Sequence, residues 1–313
     1  MKKNLLSIII PSRSSKYLQE TINDLLKNAW GEIEIIVVLD GRWPTNLLQN
    51  NSKVITIFHG QAEKNLGMRM SINRGVLIAN GQYIMKVDEH CTFDKGYDIK
   101  LIADCDENWV VAPRKFDLDA EAWKPMGEAV DNVAFAYPSL NYVKWRSWHH
   151  QRKDILIDDC LGFQGSCYFM SRKHWDWLGG LDDKAYGSFH YEPQEICLKT
   201  WLGGGRVVTN KKTWYGHWHR NRKDYSFSPR QRREFYDKSI SKRVEDYWLN
   251  DRWSNKIHNF EWLIEKFWPV PYWPGDWRER IKIDAEKYWS KDSSKQPTER
   301  VDVGALEVNE KPS

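Results

Sequence analysis

A short apolar run followed by an acid and a histidine forms the stretch Gln82-Tyr83-Ile84-Met85-Lys86-Val87-Asp88-Glu89-His90. Residues 82–87 predict a β-strand, so Asp88 and His90 emerge two residues apart at its carboxyl end. In open α/β sheets, ligands bind at this edge. A carboxylate combined with imidazole suits a divalent ion of intermediate hardness such as Mn²⁺, whereas Mg²⁺ favours oxygen ligands throughout. The stretch therefore predicts a metal site, with two ordinary turn residues as the alternative.

A second histidine-containing stretch, Gly216-His217-Trp218-His219-Arg220, lies far downstream. We expect His217 to be the third metal ligand, and His219 to be an alternative ligand or a supporting residue. A hydrogen-bonded structural histidine is the competing interpretation of His217. Together, these observations predict a metal site that is split between two distant stretches of the sequence and formed by Asp88, His90 and His217. The expected ligand of a divalent ion at this site is a diphosphate.

Strand and helix patterns alternate along the first 90 residues. Strands are predicted at 8–10, 34–39, 54–58 and 82–87, and helices at 17–28 and 68–80. This alternation predicts a parallel sheet with right-handed crossovers. The segment contains neither G-x-G-x-x-G nor G-K-[ST], so a dinucleotide-binding fold and a P-loop are both unsupported. The first half is therefore predicted to be a nucleotide-binding α/β sheet of another kind.

Length and composition limit the class of protein. A chain of 313 residues can form one large or two modest domains, and a formal net charge of +4 demands no polyanionic partner. The five cysteines are scattered without a C-x-x-C pair, which indicates a reducing compartment. The apolar run at 5–10 is too short for a signal sequence or a membrane span. We therefore expect a soluble cytoplasmic protein, bacterial or viral, without a membrane anchor.

The last third of the chain is rich in tryptophan. The chain has 18 tryptophans, and seven of them fall between Trp248 and Trp289. They could stack on sugars or bases, or simply attach a helical appendage to the core. We predict three regions: a catalytic domain at 1–248, a Trp-rich helical appendage at 249–289 and a disordered tail at 290–313.

The order and spacing of short motifs resemble a known superfamily. The motifs lie at 7–11, 37–41, 65–67, 73–75, 79–81 and 88–91, and then at 165–169, 178–182, 201–204 and 216–220. Together they resemble GT-A fold glycosyltransferases of the family 2 type. The chain is most similar to the catalytic domain of polypeptide N-acetylgalactosaminyltransferases, whose metal motif is also D-x-H-C. The resemblance implies a GT-A (Rossmann-like) α/β fold, a mixed sheet flanked by helices.

The resemblance also implies a binding site for a nucleotide sugar, with UDP as the expected nucleotide and Mn²⁺ as the expected cofactor. Asp40 can accept hydrogen bonds from uracil or ribose, and the backbone of 11–13 can hold the nucleoside; plain turn or cap roles are the alternatives. Either Arg69 or Arg74 is expected near the diphosphate, unless both lie on a solvated helix face. The full set of expected donor-binding residues is Pro11, Ser12, Arg13, Asp40, Gly67, Arg69, Arg74, Gly165, Phe189, Arg220 and Tyr225.

The stretch 189–195 bears on the stereochemistry. Inverting members of the superfamily usually carry Glu-Asp here, and the aspartate acts as base. In this chain Pro193 follows Glu192, which favours retention, with Glu192 and Glu195 as the expected catalytic residues. Asp182-Asp183 is an acidic pair that could supply a base instead.

One departure from the family pattern concerns the sugar pocket. The resembling enzymes have Trp-Gly-Gly before the glutamate, whereas this chain has Phe189-His190-Tyr191. Because these bulkier side chains should reshape the pocket, N-acetylgalactosamine is not carried over as the donor sugar. Glucose, galactose or a pentose are equally open.

The leading hypothesis is a metal-dependent glycosyltransferase that acts on a hydroxyl of a protein, a glycan or a hydroxymethylated DNA base. The DNA option depends on a basic run with interleaved aromatics: Arg220, Arg222, Lys223, Arg230, Arg232 and Arg233. A phosphate-rich donor would also suit that run. The alternatives are a catalytically idle sugar-binding module and a nucleotidyltransferase. The first would show a broken metal triad, and the second would need a Gly-rich basic loop after the first strand.

Overall fold

A ten-stranded mixed sheet forms the centre of the molecule. The computed structural model describes residues 1–13, 16–44, 46–219 and 227–282. The strands of this sheet are β1 (Lys2–Ser12), β2 (Ile33–Asp40), β3 (Val54–His59), β4 (Gly81–Val87), β5 (Cys91–Phe93), β6 (Trp109–Asp119), β7 (Lys124–Val130), β10 (Ile157–Asp159), β11 (Cys167–Ser171) and β12 (Arg206–His217). A separate two-stranded sheet consists of β8 (Val133–Phe135) and β9 (Tyr142–Lys144).

Helices cover the sheet. They are α1 (Leu18–Asn28), α2 (Met68–Ile78), α3 (Tyr97–Ala103), α4 (Arg146–Arg152), α5 (Arg172–Leu178), α6 (Asp183–Tyr186), α7 (Glu192–Leu202), α8 (Pro229–Tyr236), α9 (Lys238–Leu249) and α10 (Phe260–Lys266). None of the helices in the described ranges combines the length and the apolar character that crossing a bilayer requires.

The strand order along the sheet is β10-β12-β6-β11-β4-β1-β2-β3, with β5 paired to β12 and β7 paired to β6. Neighbouring strands from β4 to β3 are parallel, as the alternating pattern predicted. Strand β11 runs antiparallel to both β4 and β6, which makes the whole sheet mixed. All four strands and both helices predicted for the first 90 residues are confirmed. Strand β1 is longer than predicted, since it begins at Lys2 and not at Ile8, and the ends of β2, β3, β4 and both helices differ by at most two residues.

The apolar runs of the central strands account for the core. Ile8, Ile35 and Met85 are neighbours across β2-β1-β4, and none of the three is exposed. Strands that are buried on both faces have continuous apolar sequences, as these do. Helix α2 lies close on this layer because Gly75 has no side chain: a Cβ there would lie 2.4 Å from Cγ2 of Ile9.

Residues Met1–Gly275 form one compact unit, and Asp276–Ser313 form a second. Within the first unit, Trp273 donates a hydrogen bond to the carbonyl of Phe135 at 2.6 Å, and the rings of Phe267 and Trp201 lie 5.4 Å apart. In the second unit, residues 277–282 are helical. The predicted tail at 290–313 lies outside the described residues, and the boundaries predicted at 248 and 289 stay predictions.

A buried histidine predicts acid sensitivity of the fold. His174 is 3% exposed, and its Nε2 lies 3.0 Å from Oγ1 of Thr200. Burial lowers the pKa of His174 to about 4. Below pH 6.5, His174 therefore binds a proton in the unfolded chain, whereas it stays neutral in the folded chain until the pH approaches 4. This contribution to stability is complete above pH 6.5 and falls as the pH drops toward 4.

We expect His174→Gln to reduce this acid sensitivity. Between pH 6.5 and pH 5, the wild-type free energy of unfolding should fall by roughly 2 kcal/mol more than that of the variant. Urea unfolding of both proteins at the two pH values measures the difference. Equal losses in the two proteins would show that His174 is not the group responsible.

Candidate functional site

The sheet edge where β1, β2 and β4 end opens into a cavity of about 480 Å³. The structure brings together most residues that the sequence placed at this edge. The predicted residues that line the cavity are Pro11, Ser12, Arg13, Asp40, Asp88, His90, Gly165, Phe189, Glu192 and His217. Pro11, Asp40 and Asp88 meet because β1, β2 and β4 are parallel, and the carboxyl ends of parallel strands lie at one edge.

Asp88, His90 and His217 form a compact cluster in this cavity. Nε2 of His217 lies 3.0 Å from Nε2 of His90 and 3.2 Å from Oδ2 of Asp88, and one ligand atom of each residue lies within 4.8 Å of the others. His217 reaches this position because it ends β12, where it pairs with Cys91 of β5, the residue directly after His90.

The donor set fits a divalent ion. Two imidazole nitrogens that face each other at 3.0 Å repel unless a proton or a cation lies between them. Burial lowers the pKa of His217, which favours the neutral ring that can act as a ligand. Nδ1 of the same ring has no hydrogen-bond partner among the described residues. These features suit a divalent ion held by one carboxylate and two imidazoles.

Lys86 is a candidate functional residue that was not predicted from the sequence. Its side chain is 1% exposed, and Nζ donates to Oδ1 of Asp88 and to the carbonyl of Gly165, each at 2.5 Å. Oε2 of Glu192 lies 3.7 Å from the same nitrogen. The signal was present: a lysine stands in an apolar strand two residues before Asp88, and residues two apart share a strand face. The Lys86 ammonium thus links Asp88, a candidate metal ligand, to Glu192, a candidate catalytic residue.

The charges of Lys86, Asp88 and Glu192 shift one another's pKa values. Burial opposes ionisation of Asp88, but the Lys86 ammonium and the hydrogen bond with His217 hold the pKa of Asp88 well below its usual range. Burial also opposes the charge on Lys86, yet the Asp88 and Glu192 carboxylates raise its pKa. Glu192 is 2% exposed, and burial raises its pKa in spite of Lys86. A buried carboxylate with a raised pKa beside a metal cluster is typical of a functional site.

At the β1 end of the cavity, side chains bind one another and the backbone. Ser12 donates a hydrogen bond to the buried Glu89, and the Arg13 amide donates to the same carboxylate at 3.2 Å. The Arg13 guanidinium donates to the carbonyls of Asp40 and Ala62, each at 2.6 Å. Glu89 is a second residue that the sequence reasoning did not select, although it lies inside the D-x-H motif.

Asp40 shapes the neighbouring turn. Its carboxylate accepts hydrogen bonds from Nδ2 of Asn65 at 2.8 Å and from the amides of Leu66 at 2.8 Å and Gly67 at 2.7 Å. Gly67 has a φ of +99°, and a Cβ there would lie 2.3 Å from Cβ of Ser188. The alternative role considered for Asp40, a turn residue, is therefore present, although the residue also lines the cavity.

The structure does not bring Arg69, Glu195 or Arg74 into the cavity lining. Arg69 is completely buried, pairs with Glu195, and donates to the carbonyl of His190 at 2.7 Å. Glu195 also binds Nζ of Lys199 at 2.6 Å. Arg74 is exposed on α2. Arg69 and Glu195 therefore lie in a buried ion cluster, and Arg74 is exposed to solvent. The expected contact of an arginine with the diphosphate and the expected catalytic role of Glu195 stay predictions.

His219 does not belong to the compact cluster. Its Nε2 lies 2.8 Å from Nζ of Lys115 and 3.0 Å from Oδ1 of Asp117. Of the two histidines that the sequence left open, the geometry therefore selects His217. Two other expected donor-binding residues, Arg220 and Tyr225, lie outside the described residues.

Comparisons with known proteins place the chain in a family. The model of the glycosyl transferase family 2 matches residues 7–177, more than half of the chain. A Drosophila melanogaster protein that carries the name polypeptide N-acetylgalactosaminyltransferase 13 is 24% identical over 281 residues, which cover 84% of this chain and 46% of the relative. A Caenorhabditis elegans protein named as N-acetylgalactosaminyltransferase 8 is 23% identical over 243 residues, which cover 70% of this chain and 54% of the relative. The chain thus spans about half the length of these curated relatives.

Solved structures share the fold. The crystal structure of GalNAc-T7 with UDP, GalNAc and Mn²⁺ has a TM-score of 0.61 at 17% identity, and the match covers 92% of this chain and 56% of that chain. Staphylococcus aureus TarS 1–349 in complex with UDP-GlcNAc has a TM-score of 0.51 at 14% identity, and the match covers 93% of this chain and 76% of that chain. The predicted GT-A fold, a mixed sheet with flanking helices, is confirmed.

Proposed function

Because this chain belongs to glycosyl transferase family 2, we propose that it transfers a sugar from a uridine diphosphate sugar to a hydroxyl acceptor. The observation that carries the proposal is the meeting of Asp88, His90 and His217 in the cavity at the carboxyl ends of the parallel strands. The two solved structures described above contain UDP or UDP-GlcNAc, and one of them contains Mn²⁺.

Asp88, His90 and His217 would hold a divalent ion, with Mn²⁺ as the expected species. When bound there, the ion supplies the positive charge that stabilises a departing diphosphate. Lys86 keeps Asp88 ionised and in place, since its ammonium donates to Oδ1 and leaves Oδ2 directed toward His217. The protein thus offers a preformed cation site that needs little rearrangement during the reaction.

In the transfer itself, a bond forms between the acceptor oxygen and the anomeric carbon of the sugar. The bond from that carbon to the phosphate oxygen breaks, and its electron pair leaves with the diphosphate. The acceptor proton must go to a base. Under retention, that base is the departing phosphate oxygen, on the same face of the sugar.

Retention is supported by the four described carboxylates that line the cavity. Each of them is already engaged by another group, so none is placed to take the acceptor proton. Asp40 caps its turn, and Asp88 belongs to the metal cluster. Glu89 accepts from Ser12, and Glu192 lies beside Lys86. Pro193 follows Glu192 at the start of α7, where inverting relatives would need their aspartate. The acidic alternative at 182–183 is not in the cavity lining: the Asp182 side chain caps α6.

We expect the product to keep the α configuration of an α-linked nucleotide sugar. Proton NMR of the first product formed measures the anomeric coupling before any later exchange. A β anomer from an α donor would mean that one of these carboxylates takes the proton, with Glu192 as the first candidate because it is buried in the cavity with a raised pKa.

A donor screen tests the proposal as a whole. UDP-glucose, UDP-galactose, UDP-xylose and the two UDP-N-acetylhexosamines are incubated with the protein and Mn²⁺, and hydrolysis and thermal stability are recorded. A donor present at a hundred times its Kd should stabilise the fold by about 2.7 kcal/mol. EDTA should remove both signals. A protein that neither binds nor hydrolyses any of these donors would contradict the proposed function.

A further inference from the structure

Three aromatic rings form one wall of the cavity. Phe189, Phe227 and Phe235 all line it, and each ring is partly accessible. The Phe227 centroid lies 5.2 Å from that of Phe189 and 5.3 Å from that of Phe235. We call these three residues the aromatic wall. Aromatic faces carry negative charge density and attract the weakly positive C–H groups of a sugar ring.

Neutral amide side chains accompany the aromatic wall. Asn141, Gln164, Gln194 and Gln231 also line the cavity. Gln194 is 5% exposed, and its Nε2 donates to the carbonyl of Leu140 at 3.1 Å, which fixes the orientation of the amide. Its Oε1 is buried and has no hydrogen-bond partner among the described residues. A buried acceptor of this kind costs free energy until a donor such as a hydroxyl reaches it.

The charges of the described lining are unevenly distributed. Between 189 and 194, Glu192 is the charged side chain, and the lining residues at 141–142 and 227–235 carry no lysine, arginine, aspartate or glutamate. Burial lowers the pKa of His190, so its ring is neutral near pH 7. The basic residues of α8 are not in the lining: Arg230 binds Glu234 at 2.7 Å, and Arg232 and Arg233 are exposed. A polyanion such as DNA therefore finds no counter-charge on these described surfaces.

Aromatic faces and neutral amides without a basic side chain among them are the features that suit a polyhydroxylated, uncharged molecule. The geometry points to a saccharide acceptor: one sugar ring stacks on the aromatic wall, and one of its hydroxyls donates to Oε1 of Gln194. This inference rests on the proposed glycosyl transfer and names its acceptor class. A neighbouring hydroxyl of that saccharide is the nucleophile, and the proton and the electron pair move as described above.

The test compares acceptors with the donor that the screen identifies. Methyl glycosides of glucose, galactose and N-acetylglucosamine, a neutral Ser/Thr peptide and a duplex with hydroxymethylated bases are offered with Mn²⁺. We expect transfer to at least one saccharide and none to the peptide or the duplex. Donor hydrolysis without any transfer to a saccharide would overturn this inference and leave the donor proposal intact. Absence of donor binding and hydrolysis would instead remove the proposed function itself.

Two variants test the named contacts. Phe235→Ala should raise the saccharide KM about tenfold, and Gln194→Met should do the same by removing the amide oxygen. In both variants the rise in saccharide KM should exceed any change in the KM of the donor. Tyr236→Ala is the matched control, since Tyr236 neighbours Phe235 on α8, is 68% exposed and does not line the cavity. An unchanged saccharide KM in both cavity variants, or an equal rise in Tyr236→Ala, would overturn the assignment.

Discussion

His217→Ala should abolish metal-dependent donor turnover, with a fall in kcat of at least about a thousandfold. The substitution removes a candidate ligand that lies 3.0 Å from His90 Nε2 and 3.2 Å from Asp88 Oδ2. The remaining two ligands hold an ion less tightly, and the charge of the departing diphosphate loses its partner. Hydrolysis of the identified UDP-sugar at saturating donor, with Mn²⁺ varied, measures the effect.

The fold of the variant should persist, since an alanine at this cavity position creates no buried unpaired charge. Thermal unfolding without metal should therefore resemble that of the wild type, and Mn²⁺ should stabilise only the wild type. His219→Ala is the informative comparison, because Nε2 of His219 lies near Lys115 and Asp117. If His219→Ala lost the metal response and His217→Ala kept it, the assignment of the ligands would be reversed.

The parts of the fold that sequence could predict are those with local patterns. The runs at 34–39 and 82–87 are apolar because both faces of their strands are buried, and such runs are visible without coordinates. The metal cluster was predictable for a related reason. Asp88 and His90 follow a strand end directly, and His217 lies in 216–220, a histidine-containing stretch that belongs to the same family pattern.

The parts that sequence could not predict depend on which way a side chain faces across long separations. Glu195 and Glu192 are three residues apart on α7, but Glu192 meets Lys86 in the cavity and Glu195 meets Arg69 in a buried ion cluster. No local pattern separates two glutamates on one helical turn. Lys86 was overlooked for the opposite reason, because a charged residue inside an apolar strand looks like a solvent-facing position until its partners are known.

Lys86→Met should destabilise the fold and remove activity together. Lys86 is 1% exposed, and its ammonium is the partner of Asp88 and lies 3.7 Å from Glu192. Methionine nearly matches its length but leaves Glu192 as a buried carboxylate without a cation. Breaking a buried ion pair from one side costs about 3–5 kcal/mol. Urea unfolding in the absence of metal measures this loss, and the donor hydrolysis assay measures the accompanying loss of turnover.

The double variant Lys86→Met/Glu192→Gln separates this electrostatic explanation from a loss of packing. Glutamine keeps the size of Glu192 without its charge, so the double variant should be more stable than Lys86→Met alone, and the double-mutant cycle should show coupling. Burial already raises the pKa of Glu192, and loss of Lys86 removes the opposing influence. Protonation of Glu192 in the single variant should then relieve part of the penalty, so its deficit should be smaller at pH 5 than at pH 8. A deficit that is independent of pH and unchanged by Glu192→Gln would mean that Lys86 acts through packing, and that the charge network between the metal cluster and Glu192 is not what holds this site together.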